Sequence, residues 1–269
     1  MQPPLFDFTP GRSPVLVTIP HGGTMLPPEL EPRLTAAGRL RPDTDWYLDQ
    51  VHDAVTQAGH GLLKANWSRY VIDLNRGADD ASLYPGRATT GLVPLVAFDG
   101  TALYPPGQEP DGAEIQSRIA RFWQPYHDAV ARELDRLRAQ WGWAVLWDAH
   151  SIRSQVPRLF DGMLPDLNFG TNEGVTCHPS LIGAITAEAA SSPYSQVLDG
   201  RFKGGFTTRH YGRPDQDIHA VQLEMSQVTY LASEDAPFPA DPGRLDRLRR
   251  CVTGLIDVAG AWRPPGQAV

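Results

Sequence analysis

Val15-Leu16-Val17-Thr18-Ile19, followed at once by Pro20-His21-Gly22-Gly23, decides how this chain of 269 residues folds. A short apolar, β-branched run bounded by Gly and Pro reads as a buried strand. A second such run, Ala144-Val145-Leu146-Trp147, is followed by Asp148-Ala149-His150, and a third, Ala220-Val221-Gln222-Leu223-Glu224, carries its own carboxylate. Polar groups just past the carboxyl ends of buried strands lie where open α/β sheets build their sites. Alternate residues of a strand share a face, so Gln222 and Glu224 point together while Val221 and Leu223 point into the core. Two histidines and several carboxylates so placed point to a metal centre, with Glu224 as the base of a zinc hydrolase.

Around these runs helical and extended patterns alternate, the mark of an α/β fold. Asp43-Thr44 predicts a cap for a helix over Asp45 to Ala58, with Leu48, Val51 and Val55 at helical spacing and Gly59 as its stop. Leu62 to Ala65 and Tyr70 to Leu74 read as strands. The stretch from Asp79 to Gly112, rich in Pro and Gly, predicts a long loop over or beside the site. Asp111 to Trp141 is the clearest helix, with Asp111 and Glu114 at capping-box spacing and Pro125 dividing or kinking it near Arg121. Leu181 to Ala190 predicts a short helix, and Asp241-Pro242 opens the last one, whose Leu245, Leu248, Val252, Leu255 and Ala259 share a face.

Composition narrows the function classes. A net charge of -7 excludes broad attraction to nucleic acid, so any bound anion is met by local arginines. No apolar stretch approaches the roughly 20 residues that cross a bilayer. Two cysteines, Cys177 and Cys251, and an N-terminus without an apolar leader predict a soluble cytoplasmic protein. The length and the absence of a visible linker predict a single domain over residues 1–269. A His-Gly-Gly loop also occurs in serine esterases, but those need a Gly-x-Ser-x-Gly elbow that this sequence lacks.

Pro20-His21-Gly22-Gly23, Asp43-Thr44-Asp45-Trp46, the block Ser68 to Arg76, Asp148-Ala149-His150-Ser151 and Glu224 together resemble the N-formylglutamate amidohydrolase (deformylase) family. The resemblance runs from about residue 14 to 260, and its most specific piece is the Ser68 to Arg76 block with the two His motifs in order. It implies a single-domain, three-layer α/β sandwich with a mixed central sheet, the phosphorylase/hydrolase-like fold shared with zinc carboxypeptidases. The implied reaction releases formate from N-formyl-L-glutamate in histidine degradation. A zinc carboxypeptidase or an N-acyl amino acid deacylase is the competing reading, because the metal machinery would be the same.

Carboxypeptidase-like enzymes place a glutamate three residues after the first histidine, where this chain has Thr24. The carboxylate ligand therefore comes from elsewhere: Asp45 first, with Asp43 and Asp148 as alternatives to it beside His21 and His150. Three such ligands suit Zn2+ or another divalent transition ion and leave a position for water. Glu224 is the expected proton carrier, and Arg69 or Arg153 the cation that polarises the formyl oxygen. A small substrate with two carboxylates calls for arginine forks. Asn75-Arg76 is the expected clamp by resemblance to carboxypeptidases, and Gly204 to Arg213 resembles a mobile loop that supplies Arg209, Arg213 or Tyr211.

Overall fold

The apolar runs become strands of one sheet. In the computed structural model, which describes residues 3–82, 86 and 88–266, the strands are β1 (Phe6–Thr9), β2 (Val15–Ile19), β3 (Gly61–Ala65), β4 (Ala144–Ile152), β5 (Leu167–Gly170), β6 (Gln196–Leu198) and β7 (Ile218–Ser226). They pair in the order β1, β3, β2, β4, β7, β5, β6. Neighbours from β3 through β2 and β4 to β7 are parallel, β1 is antiparallel to β3, and β5 is antiparallel to β7 and parallel to β6. The sheet is therefore mixed, with a parallel centre.

Helices cover both faces. Val15, Val17 and Ile19 of β2, Val145 and Trp147 of β4, and Val221 and Leu223 of β7 pack with α2 (Leu48–Val51), α5 (Pro179–Ala190) and α7 (Pro242–Ala261). On the other face Leu16, Leu146 and Ala220 pack with Val130, Leu134 and Leu137 of α4 (Gln124–Trp141). Removing each of the valine, leucine and isoleucine side chains among them from water contributes about 1.5–3 kcal/mol. The strand periodicity of two thus sorts the residues into two cores. The remaining α-helices among the described residues are α1 (Ala36–Leu40), α3 (Gly112–Arg118), joined to α4, and α6 (Phe206–Tyr211).

The predicted Asp111–Trp141 helix is present and is divided where Pro125 demands. Asp111 caps α3 by accepting from Glu114 N at 2.8 Å, and a π turn over Ile119–Trp123 joins α3 to α4. Without an amide hydrogen, Pro125 cannot extend the regular ladder back into that turn. Asp241 caps α7 through Gly243 N and Arg244 N. Among the described residues the 79–111 stretch contains no helix and only the isolated bridge Val96–Ala102; residues 83–85 and 87 of the predicted loop lie outside the described residues.

Four expectations are corrected. The helix predicted over Asp45 to Ala58 is reduced to α2 and a series of turns, because Asp45 N is tied to His21 O at 3.0 Å and Tyr47 takes a left-handed φ of 59°. Asp43 caps no helix; its Oδ2 accepts from Phe98 N instead. Tyr70 to Leu74 is a buried turn rather than a strand: the Arg118 guanidinium donates to the Val71 carbonyl at 2.9 Å, and Asp73 N donates to Leu92 O. Buried backbone groups must be paired, and here a side chain and a loop satisfy them in place of a neighbouring strand. Gly204 to Arg213 is no open loop, since its centre forms α6, with Thr207, Thr208 and Tyr211 buried.

Candidate metal centre and active site

A change of character along two neighbouring strands creates the site. On one face β4 reads Ala144, Leu146, Asp148, His150, and the same face of β7 reads Ile218, Ala220, Gln222, Glu224. The register pairs Asp148 with Gln222 and His150 with Glu224, so the apolar layer under α4 gives way to a polar patch halfway along the sheet. The expectation that these groups follow the strand ends is corrected in detail: β4 and β7 continue past them, and only His21 lies beyond its strand.

His21, Asp45 and His150 converge there, each offering a ligand atom within 4.8 Å of the others, and all three are buried. Asp45 Oδ2 lies 3.3 Å from His150 Nδ1 and 3.8 Å from His21 Nδ1. It is buried and accepts no hydrogen bond, a costly condition for a carboxylate oxygen unless a cation completes it. The opposite nitrogens of both rings meet carboxylates: His21 Nε2 is 2.7 Å from Asp73 Oδ1, and His150 Nε2 is 3.1 Å from Asp148 Oδ2. Imidazoles backed by carboxylates are oriented and made more basic as metal ligands. Two nitrogens and one carboxylate oxygen suit Zn2+ or another divalent transition ion.

The backing carboxylates are themselves held. Asp73 accepts from Arg69 Nη2 at 2.6 Å and from Asn75 N at 2.9 Å, and Asp148 Oδ1 accepts from Thr18 Oγ1 at 2.9 Å. Burial works against ionised Asp73, but Arg69 and His21 outweigh it and hold its carboxyl well below the usual range. Burial also works against charged His150, yet Asp148 and Asp45 hold its pKa well above the ordinary value. His21 moves the other way, lowered first by burial and then by the nearby Arg69. Burial, with Asp45 and Asp148 adding to it, pushes Glu224 up to about 8 against the pull of His150 and Arg69.

An open cleft lies over this cluster. Arg69, Arg76, Gln222 and Glu224 line it, as do Thr89, Thr90 and Phe98 of the long loop, which therefore lies beside the site as predicted. Asn75 also reaches it, but its Nδ2 is 2.9 Å from His150 Nε2 and its Oδ1 accepts from Thr207 N. The amide thus ties His150 to the start of α6. Four predicted residues stand elsewhere. Arg153 pairs with Asp235 at 2.9 Å beside a neighbouring cleft. The Tyr211 hydroxyl lies under α6 on His127, 3.0 Å from Nδ1. Arg209 Nε donates back to Gly204 O, and the Arg213 backbone pairs with Ile218. Asp43 and Asp148, the alternative ligands, are occupied by Phe98 N and by His150 Nε2.

Sequence reasoning assigned no part to Asp73 or Arg201, both in the cleft wall. Asp73 had a signal in its spacing of four from Arg69 within the Ser68–Arg76 block. Arg201 had none, lying in an aperiodic segment after β6.

A buried His/His/Asp cluster with a neighbouring glutamate and arginine, on the parallel centre of a mixed sheet, defines a metal-dependent hydrolase of the amidohydrolase class. The family model described as N-formylglutamate amidohydrolase matches residues 13–231. The chain belongs to the N-formylglutamate amidohydrolase family. It is 48% identical over 259 residues to the N-formylglutamate deformylase of Pseudomonas aeruginosa, covering 96% of this chain and 97% of that one. It is 49% identical over 261 residues to the N-formylglutamate deformylase of Pseudomonas putida, covering 96% of each. The crystal structure of N-formylglutamate amidohydrolase from Ralstonia eutropha superposes with a TM-score of 0.79 at 25% identity, covering 94% of this chain and 95% of that one. A protein of Agrobacterium tumefaciens shares the fold, with a TM-score of 0.71 at 18% identity and 94% of each chain covered.

Proposed function

We propose that this chain hydrolyses N-formyl-L-glutamate to formate and L-glutamate, with His21, Asp45 and His150 as the metal ligands. The observation that carries the reading is the convergence of the buried Asp45 Oδ2, which accepts no hydrogen bond, with two imidazoles backed by carboxylates, with Glu224, Arg69 and Arg76 in the same cleft. When bound, a divalent ion supplies Lewis-acid polarisation of the amide oxygen and lowers the pKa of a water from about 15.7 toward about 7.

The chain's residues do the rest. Glu224 takes a proton from water as the water oxygen bonds to the formyl carbon, then gives that proton to the nitrogen, so that the C–N bond breaks and a neutral amine leaves. Arg69, fixed by Asp73, stabilises negative charge developing on the formyl oxygen. Arg76, whose buried Nε has no partner, binds a substrate carboxylate. Asp148 holds the His150 ring, and Asn75, which lies 2.9 Å from the same ring nitrogen, also lines the cleft beside Arg76.

The order His21, Asn75-Arg76, His150, Glu224 supports kinship with the zinc carboxypeptidases within a single domain. The substrate places the reaction in histidine degradation, and two free cysteines accord with a cytoplasmic setting. Formate release from N-formyl-L-glutamate by purified protein tests the function: it is expected to stop on chelation and to return with zinc. Absence of formate from zinc-loaded protein would move the substrate to another N-acyl amino acid or a peptide.

A further inference from the structure

We propose that Gln222 binds the distal carboxylate of the substrate, its carboxamide Nε2 donating to that group from the wall of the cleft. The inference rests on the deformylase reading above and adds to it a binding residue on the strand that carries Glu224.

The orientation of one carboxamide carries the argument. Gln222 is buried on β7 and lines the cleft. The Gly205 amide can only donate, and it donates to Gln222 Oε1 at 2.7 Å. That bond fixes which end of the carboxamide is which, so Nε2 and its hydrogens face the other way. Among the described residues Nε2 donates to no protein group, and it is not sealed from solvent, so it opens on the cleft. The nearest carboxylate in the sheet is already spent: Asp148, opposite Gln222 in the register, has Oδ1 on Thr18 Oγ1 and Oδ2 on His150 Nε2. A donor held by its own carbonyl and left without an acceptor in a cleft wall is a binding group for a ligand.

Position along the strand selects the carboxylate. Gln222 and Glu224 are two residues apart on one face of β7, so these side chains of equal length leave the sheet about 6.6 Å from one another. Glu224 serves the amide nitrogen. In N-formyl-L-glutamate the carboxylate on the α-carbon is two bonds from that nitrogen, and the distal one is four bonds away. A donor one pleat along from Glu224 therefore meets the distal carboxylate and passes the nearer one, which falls to Arg76. The next residue on this face, Ala220, belongs to the apolar layer under α4, so the polar wall ends at Gln222.

The test compares N-formyl-L-glutamate with N-formyl-L-norvaline, which has the same carbon chain without the distal oxygens, in zinc-loaded wild type, Gln222→Leu and Gln222→Glu. Gln222→Leu removes the donor. Gln222→Glu keeps an oxygen for Gly205 N and sets a second carboxylate against that of the substrate. Gln222→Leu is expected to lose about ten- to a hundredfold in kcat/KM on the glutamate substrate, mostly in KM, and Gln222→Glu more. Both are expected to keep wild-type zinc content and to lose little on the norvaline substrate. Equal losses on the two substrates, as a merely structural role would give, or an unchanged KM for the glutamate substrate, would overturn the assignment. Calorimetric binding of L-glutamate and L-norvaline reads the same preference without turnover and needs only one of the two variants to fold. L-glutamate bound as tightly by a folded variant as by wild type also defeats the proposal. Wild type whose affinity for L-glutamate depends on Gln222, yet which releases no formate from either formyl substrate, defeats the deformylase reading alone.

Discussion

Asp73→Asn tests whether the buried ion pair behind His21 bears on stability and metal affinity separately. The Asp73 side chain is 2% exposed and meets Arg69 Nη2 at 2.6 Å and His21 Nε2 at 2.7 Å. Asparagine keeps the shape but sets an amide and no charge against a guanidinium that is itself only 7% exposed. Asp45 and Asp43 still favour charged Arg69 from further away, so the loss falls at the lower end of that for breaking a buried pair, about 3 kcal/mol. Urea unfolding of metal-free protein, followed by tryptophan fluorescence, measures it. Removing the stranded charge as well, in Asp73→Asn with Arg69→Met, is expected to restore stability to within about 1 kcal/mol of wild type. Zinc titration of the single variant is expected to show affinity about 10- to 100-fold weaker, because His21 Nε2 loses its carboxylate. Additive costs in the double variant would refute the stranded-charge argument, and unchanged zinc affinity would refute the role of Asp73 in orienting His21.

Two further outcomes follow from buried titratable groups. Glu224→Gln is expected to keep zinc content and melting temperature while kcat falls at least about a hundredfold; near-normal turnover would remove Glu224 from proton transfer. His52 and His127 are both lowered from 6.5 to about 4, chiefly by burial. The unfolded chain therefore takes up protons near pH 6.5 and the folded chain only near 4, so stability falls as pH drops through that window. The slope is at most about 1.4 kcal/mol per pH unit for each histidine. Metal-free His52→Leu should unfold with a shallower pH dependence than wild type between pH 6 and 4.5, by up to about one proton, and identical slopes would count against a neutral buried His52.

What was legible in the sequence follows from how local the determining forces are. β2, β4 and β7 announced themselves because a buried strand must be apolar on both sides, and the capped helices α3 and α7 because Asp111 and Asp241 bond to amides two or three residues ahead. His21, His150 and Glu224 stood out because polar groups inside or beside such runs are costly without a task, whereas Asp45 was found through the Asp43-Thr44-Asp45-Trp46 block of the family resemblance. Tyr70 to Leu74 misled because its apolar residues are buried as a strand's would be, while its carbonyls are satisfied by Arg118, distant in sequence. The arginines resisted for a similar reason. Arg153 ends on Asp235 and Arg201 on Leu159 O, contacts made by long flexible side chains across segments that carry no periodicity.

Close backbone approach explains why two glycines border this centre. A Cβ on Gly205 would lie 2.3 Å from Asn75 Nδ2, and one on Gly23 would lie 2.5 Å from the backbone carbon of Asn66. The first glycine lets the start of α6 close on Asn75, so that Gly205 N donates to Gln222 Oε1 and Thr207 N to Asn75 Oδ1. Asn75 in turn touches His150, and one hydrogen-bonded series runs from β7 through the α6 start to a ligand on β4. The second glycine lets the turn after β2 lie on the chain leaving β3, where Met25 N donates to Asn66 O at 3.1 Å. The two histidines are thus positioned from opposite sides by contacts that any side chain at either glycine would push apart, and precision of that kind is what a metal centre built on imidazoles from separate parts of the chain requires.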